Sequence, residues 1–323
     1  MFDIDRRRFA LLAAAAGAAP RLAFAQNAWP SRPIRMVVPF GAGMSIDALA
    51  RLLGDGLGKA LGQTVIVDNK PGAAGLIGTA DAARSAPDGY TLLAGVTSVM
   101  SMSPHVYTKM PYQALQDFTP IVRTANFAFV LLAGMAQPYK TLPELIQQAK
   151  AKPTSIDYAS VGVGTAPHIL MEMFASLADV KLTHIPYKSP FLSDLMGGQV
   201  AIGFEPTTTA IPLIRSGKVR ALAIGSKARN PQLPDVPALS EFFPGFEGDN
   251  WHGLFAPRGT PDTVIQLVNT EMNRVLQTNE IKSRLADLGL QPGGGSSSEF
   301  RDYFRADYAR WGEVIRQFNI RID

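Results

Sequence analysis

Short apolar runs alternate with longer amphipathic ones along most of this chain. Residues 34–38 form an apolar run closed by Pro39, the mark of a buried strand. From Ser45, with Asp47 in the first turn, apolar residues recur at helical spacing to about Leu61. A strand is predicted at 64–67, closed by Asn69-Lys70-Pro71-Gly72. A helix at 75–85, the turn Pro87-Asp88-Gly89 and a strand at 90–94 follow. Strand, helix, strand, helix, strand is the pattern of an open parallel sheet. The alternation then restarts, with strands predicted at 128–133, 155–159, 182–185, 201–204 and 219–224, and helices at 141–151, 166–178, 191–196 and 212–216. After a proline-rich stretch at 231–244, two C-terminal helices are expected, 261–288 with a break near Asn279, and 298–318.

The restart predicts two α/β units. Two extended stretches, 118–126 and 246–255, are where the chain would pass between them. A chain that crosses twice makes a discontinuous first domain, here 26–124 with 251–323, around a second domain at 125–250. The two crossings would form a hinge.

Composition agrees with two ordinary domains. The length is 323 residues, with 46% hydrophobic and 18% charged, enough apolar material for full cores. The net charge is +4, but Arg6, Arg7, Arg8 and Arg21 against Asp3 and Asp5 put a surplus of two in the first 25 residues, which leaves +2 for the rest. No basic stripe survives, so no nucleic-acid partner is expected. With Cys 0 there is no disulfide frame, thiolate nucleophile, iron–sulfur cluster or cysteine-based zinc site. No cofactor and no metal site are expected, because no two of His105, His168, His184 and His252 are spaced to share a metal on one helix face.

The N-terminus reads as an export leader. Arg6-Arg7-Arg8-Phe9 precedes a short alanine-rich apolar run, then Pro20 and Ala23-Phe24-Ala25. That is a basic region, an apolar region and a small-residue cleavage signal, with cutting expected after Ala25. The arginine pattern resembles a twin-arginine signal, although the same segment suits the general route. A periplasmic protein is expected, and a monomer, since no long apolar surface helix calls for a partner copy.

In parallel α/β sheets ligands sit beyond the carboxyl ends of strands, where helix N-termini present unpaired N–H groups. Two glycine-bearing loops occupy such places, one in each predicted unit. The first is Pro39-Phe40-Gly41-Ala42-Gly43-Met44-Ser45. The second is Ser160-Val161-Gly162-Val163-Gly164-Thr165. Facing each other across a cleft, they would suit an anion. Neither is a dinucleotide fingerprint or a Walker loop, and no G-x-S-x-G elbow occurs. His168, in the first turn after the second loop, reads as a helix-end histidine bonded to backbone or as a ligand donor.

The chain resembles the Bug-type family of extracytoplasmic solute receptors, the substrate-binding proteins of tripartite tricarboxylate transporters. The resemblance runs from about Trp29 to Asp323. It is carried by Trp29-Pro30-Ser31-Arg32-Pro33-Ile34, by Asp68-Asn69-Lys70-Pro71-Gly72-Ala73, and by Ala86-Pro87-Asp88-Gly89-Tyr90-Thr91-Leu92. Further on come Tyr158-Ala159-Ser160, Pro186-Tyr187-Lys188, Gly197-Gly198-Gln199-Val200, Leu233-Pro234-Asp235-Val236-Pro237 and Gly259-Thr260-Pro261.

The resemblance implies a type II periplasmic binding-protein fold, two Rossmann-like α/β domains closing on a central cleft. It implies a small carboxylate ligand (a di- or tricarboxylate, an acidic amino acid or an aromatic acid), delivery to a membrane permease, and no catalysis. It implies ligand contacts by Phe40, Ala42, Gly43, Met44 and Ser45 in the first loop, and by Gly162, Gly164, Thr165 and His168 at the second. Thr97, Ser98 and Tyr187 match cleft-lining positions. Three features depart from the family pattern. Met44 stands where a second glycine is usual, which favours a ligand with an apolar body. The segment around Ser189 lacks the usual glycine and is shorter. Glu205 replaces the usual Asp, either as a ligand contact or as a solvated acid at a strand end. Two other readings share these residues. A sensor subunit would present the closed form to a receptor kinase, and a hydrolase would use Ser45, Ser98 and His168.

Overall fold

In the computed structural model, which describes residues 29–188 and 190–320, two mixed sheets carry the chain. The expected leader and its cleavage site lie outside the described residues. The first sheet starts as the sequence predicts. Strands β1 (Ile34–Val38), β2 (Val65–Asn69) and β3 (Thr91–Val96) run parallel, with β1 in the middle. Helices α1 (Ser45–Leu61) and α2 (Leu76–Ala83) connect them. The stripe Ile46, Leu49, Ala50, Leu53 and Leu57 is the face that α1 buries.

The two stretches expected as crossings are long strands of this same sheet. β4 (Phe118–Phe127) pairs antiparallel with β10 (Asn250–Pro257), and β10 also lies antiparallel to β3. With β11 (Gln291–Gly294) at the edge, the sheet order is therefore β11-β4-β10-β3-β1-β2, mixed rather than purely parallel. A strand returning from the other sheet enters from the opposite end and must run against β3. All of β10 is buried. The edge strand β11 has no apolar alternation, and only its pairing with β4 defines it.

The chain changes sheet at Ala128, between β4 and β5 (Phe129–Gly134), and returns before β10. The second sheet also holds β6 (Asp157–Ser160), β7 (Thr183–Pro186), β8 (Ile202–Pro206) and β9 (Val219–Ile224), in the order β7-β6-β8-β5-β9. After β3 a π-helical stretch, Ser98–Met102, runs into α3 (Ser103–Val106). The second lobe carries α4 (Leu142–Ala151), α5 (Ala166–Ala178), α6 (Leu192–Met196) and α7 (Thr207–Arg215). The last begins earlier than the proline-led start expected at 212. Pro212 sits inside it and forgoes only the bond to the Thr208 carbonyl, while Thr207, Thr208, Ala210 and Ile211 bury the earlier turns.

At the C-terminus the break near Asn279 is present. α8 (Asp262–Gln277) gives way to α9 (Asn279–Asp287), whose cap Thr278 accepts from Ile281 N–H at 3.3 Å. α10 (Ser297–Gln317) starts with a capping box, Ser296 N–H to Glu299 Oε2 at 2.7 Å and Glu299 N–H to Ser296 Oγ at 3.2 Å. It is clamped to β10 by Trp251, whose Nε1–H donates to Asp307 Oδ2 at 2.8 Å and whose ring meets Phe300 edge-on. Among the described residues no helix is long and apolar enough to cross a membrane.

Candidate functional site

The carboxyl ends of β1 and β3 face those of β6 and β8 across a cavity of about 120 Å³. The first lobe contributes Phe40, Gly43, Met44, Ser45 and Ser98 to its wall. The second contributes Val161, Thr165, Leu192, Glu205 and Thr209. Phe127, Phe129 and His252, on the strands that join the lobes, close the back. The lining is mostly apolar, and among the described residues no Lys or Arg belongs to it.

The first loop is held from beneath by one carboxylate. Asp47, at the third position of α1, accepts from Gly43 N–H at 2.9 Å. It also accepts from Asn69 Nδ2 at 3.0 Å, and the same amide group donates to Phe40 O at 3.1 Å. Arg51 spans Asp47 and Asn69. Burial pushes the Asp47 carboxyl up, but the bonds from Arg51, Gly43 and Asn69 outweigh it and hold it below the ordinary range. Gly43 takes a φ of 82°, a left-handed turn that lets Met44 and Ser45 open the helix facing the cavity. The Ser45 hydroxyl is buried without a partner.

The second loop is held from both lobes. Within its own lobe, Ser160 Oγ and Thr165 Oγ1 both donate to Gly162 O, at 3.1 and 2.6 Å, around a Gly162 φ of 126°. His168 Nδ1 accepts from Gly164 N–H at 3.3 Å, and His184 Nε2 lies 2.7 Å from Ser160 Oγ. From the first lobe, Tyr107 OH donates to Val163 O at 2.7 Å and Ser103 Oγ to Gly164 O at 3.3 Å, while Ser98 Oγ accepts from Ala166 N–H at 3.1 Å. One N–H of the α5 terminus is thereby committed to Ser98. Burial pushes His168 and His184 down to about 4, so both are neutral at pH 7.

Two groups stand out in the cavity wall. Glu205 is only 6% exposed, and burial pushes its carboxyl up to about 7 against a hydrogen bond from Thr209 that pulls it down. It is a buried acid, and the solvated strand-end reading is set aside. His252 is 3% exposed, has a partner on neither ring nitrogen, and is pushed by burial down to about 3. Its ring stacks on Phe127 with centroids 4.4 Å apart.

Of the residues singled out from the sequence, Phe40, Gly43, Met44, Ser45, Ser98, Thr165 and Glu205 come together in this wall. The others sit elsewhere. Ala42 is exposed at the loop tip. Thr97 turns away, its hydroxyl accepting from Trp251 N–H at 2.8 Å. Gly164 and His168 stand behind the wall, bonded to each other. Gly162 and Tyr187 line an adjoining groove of about 510 Å³, shared with Phe40, Met44 and Lys188. Phe127, Phe129, Thr209 and His252 were not singled out. The sequence signal for His252 is a polar residue inside the otherwise apolar run 251–257. Neither Ser45 nor Ser98 is hydrogen-bonded to a histidine. The Ser160–His184 pair lies outside the wall, and its serine is bonded within the loop.

Two α/β lobes joined by a pair of strands and meeting at a cavity built from strand-end loops define a two-lobed solute-binding protein, the class of its structural neighbour, periplasmic binding protein BugD. A family model described as tripartite tricarboxylate transporter family receptor matches residues 49–320, and the chain belongs to that receptor family, as its motifs implied. Protein BugT of Bordetella pertussis is 35% identical over 300 residues, 92% of either chain. The structure of Rpa4515 from R. palustris with adipate has a TM-score of 0.87 and 32% identity, covering 91% of this chain and 100% of that one. MatC (Rpa3494) from Rhodopseudomonas palustris with bound malate has a TM-score of 0.85 and 31% identity, covering 89% of this chain and 100% of that one.

Proposed function

We propose that the exported protein captures a small organic carboxylate in the periplasm between its two lobes and hands it to the permease of a tripartite transporter. The observation that carries this reading is the cavity itself. It lies at the N-termini of α1 and α5, offers unpartnered donors such as Ser45, and holds no fixed cation. Helix-terminal N–H groups and hydroxyls neutralise an anion there by hydrogen bonding rather than by ion pairing. The adipate- and malate-bound relatives support the same ligand class. The contacting residues in this reading are Met44, Ser45, Ser98, Thr165, Glu205 and Thr209, with His252 at the back. The protein acts as a monomer and makes or breaks no bond.

A thermal-shift screen of the purified protein against di- and tricarboxylates, acidic amino acids and aromatic acids tests the reading. A ligand at 100 times its Kd adds about 2.7 kcal/mol and raises the midpoint visibly. One chemically coherent set of hits is expected. A flat response from folded, ligand-stripped protein would remove the carboxylate assignment.

A further inference from the structure

We propose that Glu205 is protonated when the cavity is filled, so that a carboxylate captured above neutral pH brings with it from solvent the proton that the empty site lacks, and that the site selects singly charged carboxylates with an apolar body. The inference rests on the carboxylate reading above. A ligand carboxylate entering this cavity meets Glu205 with no cation in the wall to offset a second negative charge. The groups around Glu205 leave it alone in this respect. Val130 of β5 stands opposite it in register, Thr209 reaches it from α7, and the one other titratable group of the wall is His252, which is neutral. His168 and His184 are neutral and stand outside the wall. Two like charges in one poorly solvated site do not both ionise, and the weaker acid keeps its proton.

The hydrogen-bond geometry fits the neutral form. Thr209 Oγ1 lies 2.5 Å from Glu205 Oε2 and 3.1 Å from Pro206 O. It has one hydrogen for two acceptors, and a proton on Glu205 supplies the second. Burial already places the Glu205 titration near pH 7 in the empty cavity, and an anion beside it moves that titration higher. Apart from the Ser45, Ser98 and Thr165 hydroxyls at the two helix N-termini, which one ligand carboxylate would occupy, the wall beyond these groups is largely apolar, with Phe127, Phe129, Val161 and Leu192 in it, and holds no cation for a second charge.

The test is calorimetric titration of the wild-type chain and of Glu205→Gln with benzoate, hexanoate, adipate, malate and L-glutamate. It is run at pH 6, 7 and 8 in two buffers of different ionisation enthalpy. Benzoate or hexanoate should bind the wild type with a Kd that rises as pH increases, approaching roughly tenfold per unit well above the empty-site titration, and with about one proton taken up at pH 8. In Glu205→Gln the Kd should change less than twofold across the range and no proton should be taken up. The wild-type arms need no variant and decide the matter if the variant is unstable. A carboxylate that binds with a flat Kd and no proton uptake overturns the proposal and leaves the carboxylate reading intact. L-glutamate binding that tightens as pH rises does the same, because it would show an ionised Glu205 facing an ammonium. Binding confined to adipate or malate removes the selectivity. No binding by any of the five to folded protein removes both readings.

Discussion

His252 sits in a fully buried strand between the main cavity and a void of about 20 Å³, with its ring stacked on Phe127. Neutral imidazole tolerates that place, whereas imidazolium would lose its hydration with no anion at either nitrogen. The folded protein therefore refuses a proton that the unfolded chain accepts near pH 6.5. Stability is fully present above that pH and falls as pH drops toward about 3. At pH 4.5 this one residue costs about 3 kcal/mol relative to neutral pH. His252→Phe should remove that part of the acid loss, so that unfolding free energies at pH 7.5 and 4.5 differ by about 3 kcal/mol less than in the wild type. Comparing each protein with itself cancels any change in packing, and an unaltered pH difference would mean that the ring already finds a partner when charged. Glu205 has the opposite sign. Its raised titration makes the folded state the better proton binder, so stability falls as pH rises from about 4.5 to about 7 and stays level above. Glu205→Gln should thus gain on the wild type across that window in pH-dependent denaturant melts. These two residues also show what single-residue reading can reach. Glu205 was legible as a candidate because it ends a strand at a recognised motif. That Ser98 lines the wall while Thr97 does not was not legible, because neighbouring residues of a helical turn point to different sides and only the tertiary fold shows that Thr97 faces Trp251.

At the scale of elements, the two glycine loops were legible because a strand-to-helix turn writes itself in local residue types. The bracing of the first loop was not. Asp47 is visible as a first-turn acid, but Asn69 is distant in sequence and meets it only because β1 and β2 lie side by side. The same holds for β4 and β10, read as crossings because their partners are non-local. Asp47 gathers Gly43 N–H, Asn69 and Arg51 onto one side chain, so its removal frees the loop at several points. Asp47→Ala should destabilise the protein by about 1–3 kcal/mol, the worth of hydrogen bonds to a charged group whose donors are only partly buried. It should raise hydrogen exchange at Gly43, Met44 and Ser45 while leaving Gly164 and Ala166 as protected as before. Equal loosening of both loops would show that the braces act through global stability and not locally.

At the scale of the molecule, the two lobes are joined by strands at the back and by hydrogen bonds at the front. Those at the front run from Ser98, Ser103 and Tyr107 to the loop at 163–166. They cross the cleft, so they exist only when the lobes are together, and they bias closure whether or not a ligand is inside. Tyr107 is the most separable of them. Its hydroxyl makes the shortest of these bonds, to a carbonyl, and it lies outside the cavity wall. Losing one such bond costs about 1 kcal/mol. If the empty protein is mostly open, that reduces its closed fraction, and with it the apparent affinity, about fivefold. Tyr107→Phe should therefore raise the Kd for whichever carboxylate binds by about fivefold. Small-angle scattering of the ligand-saturated variant should still give the compact wild-type radius of gyration, since enough ligand restores the closed population. An unchanged Kd would mean that closure is complete before the ligand arrives, and that the latch holds a gate that is already shut.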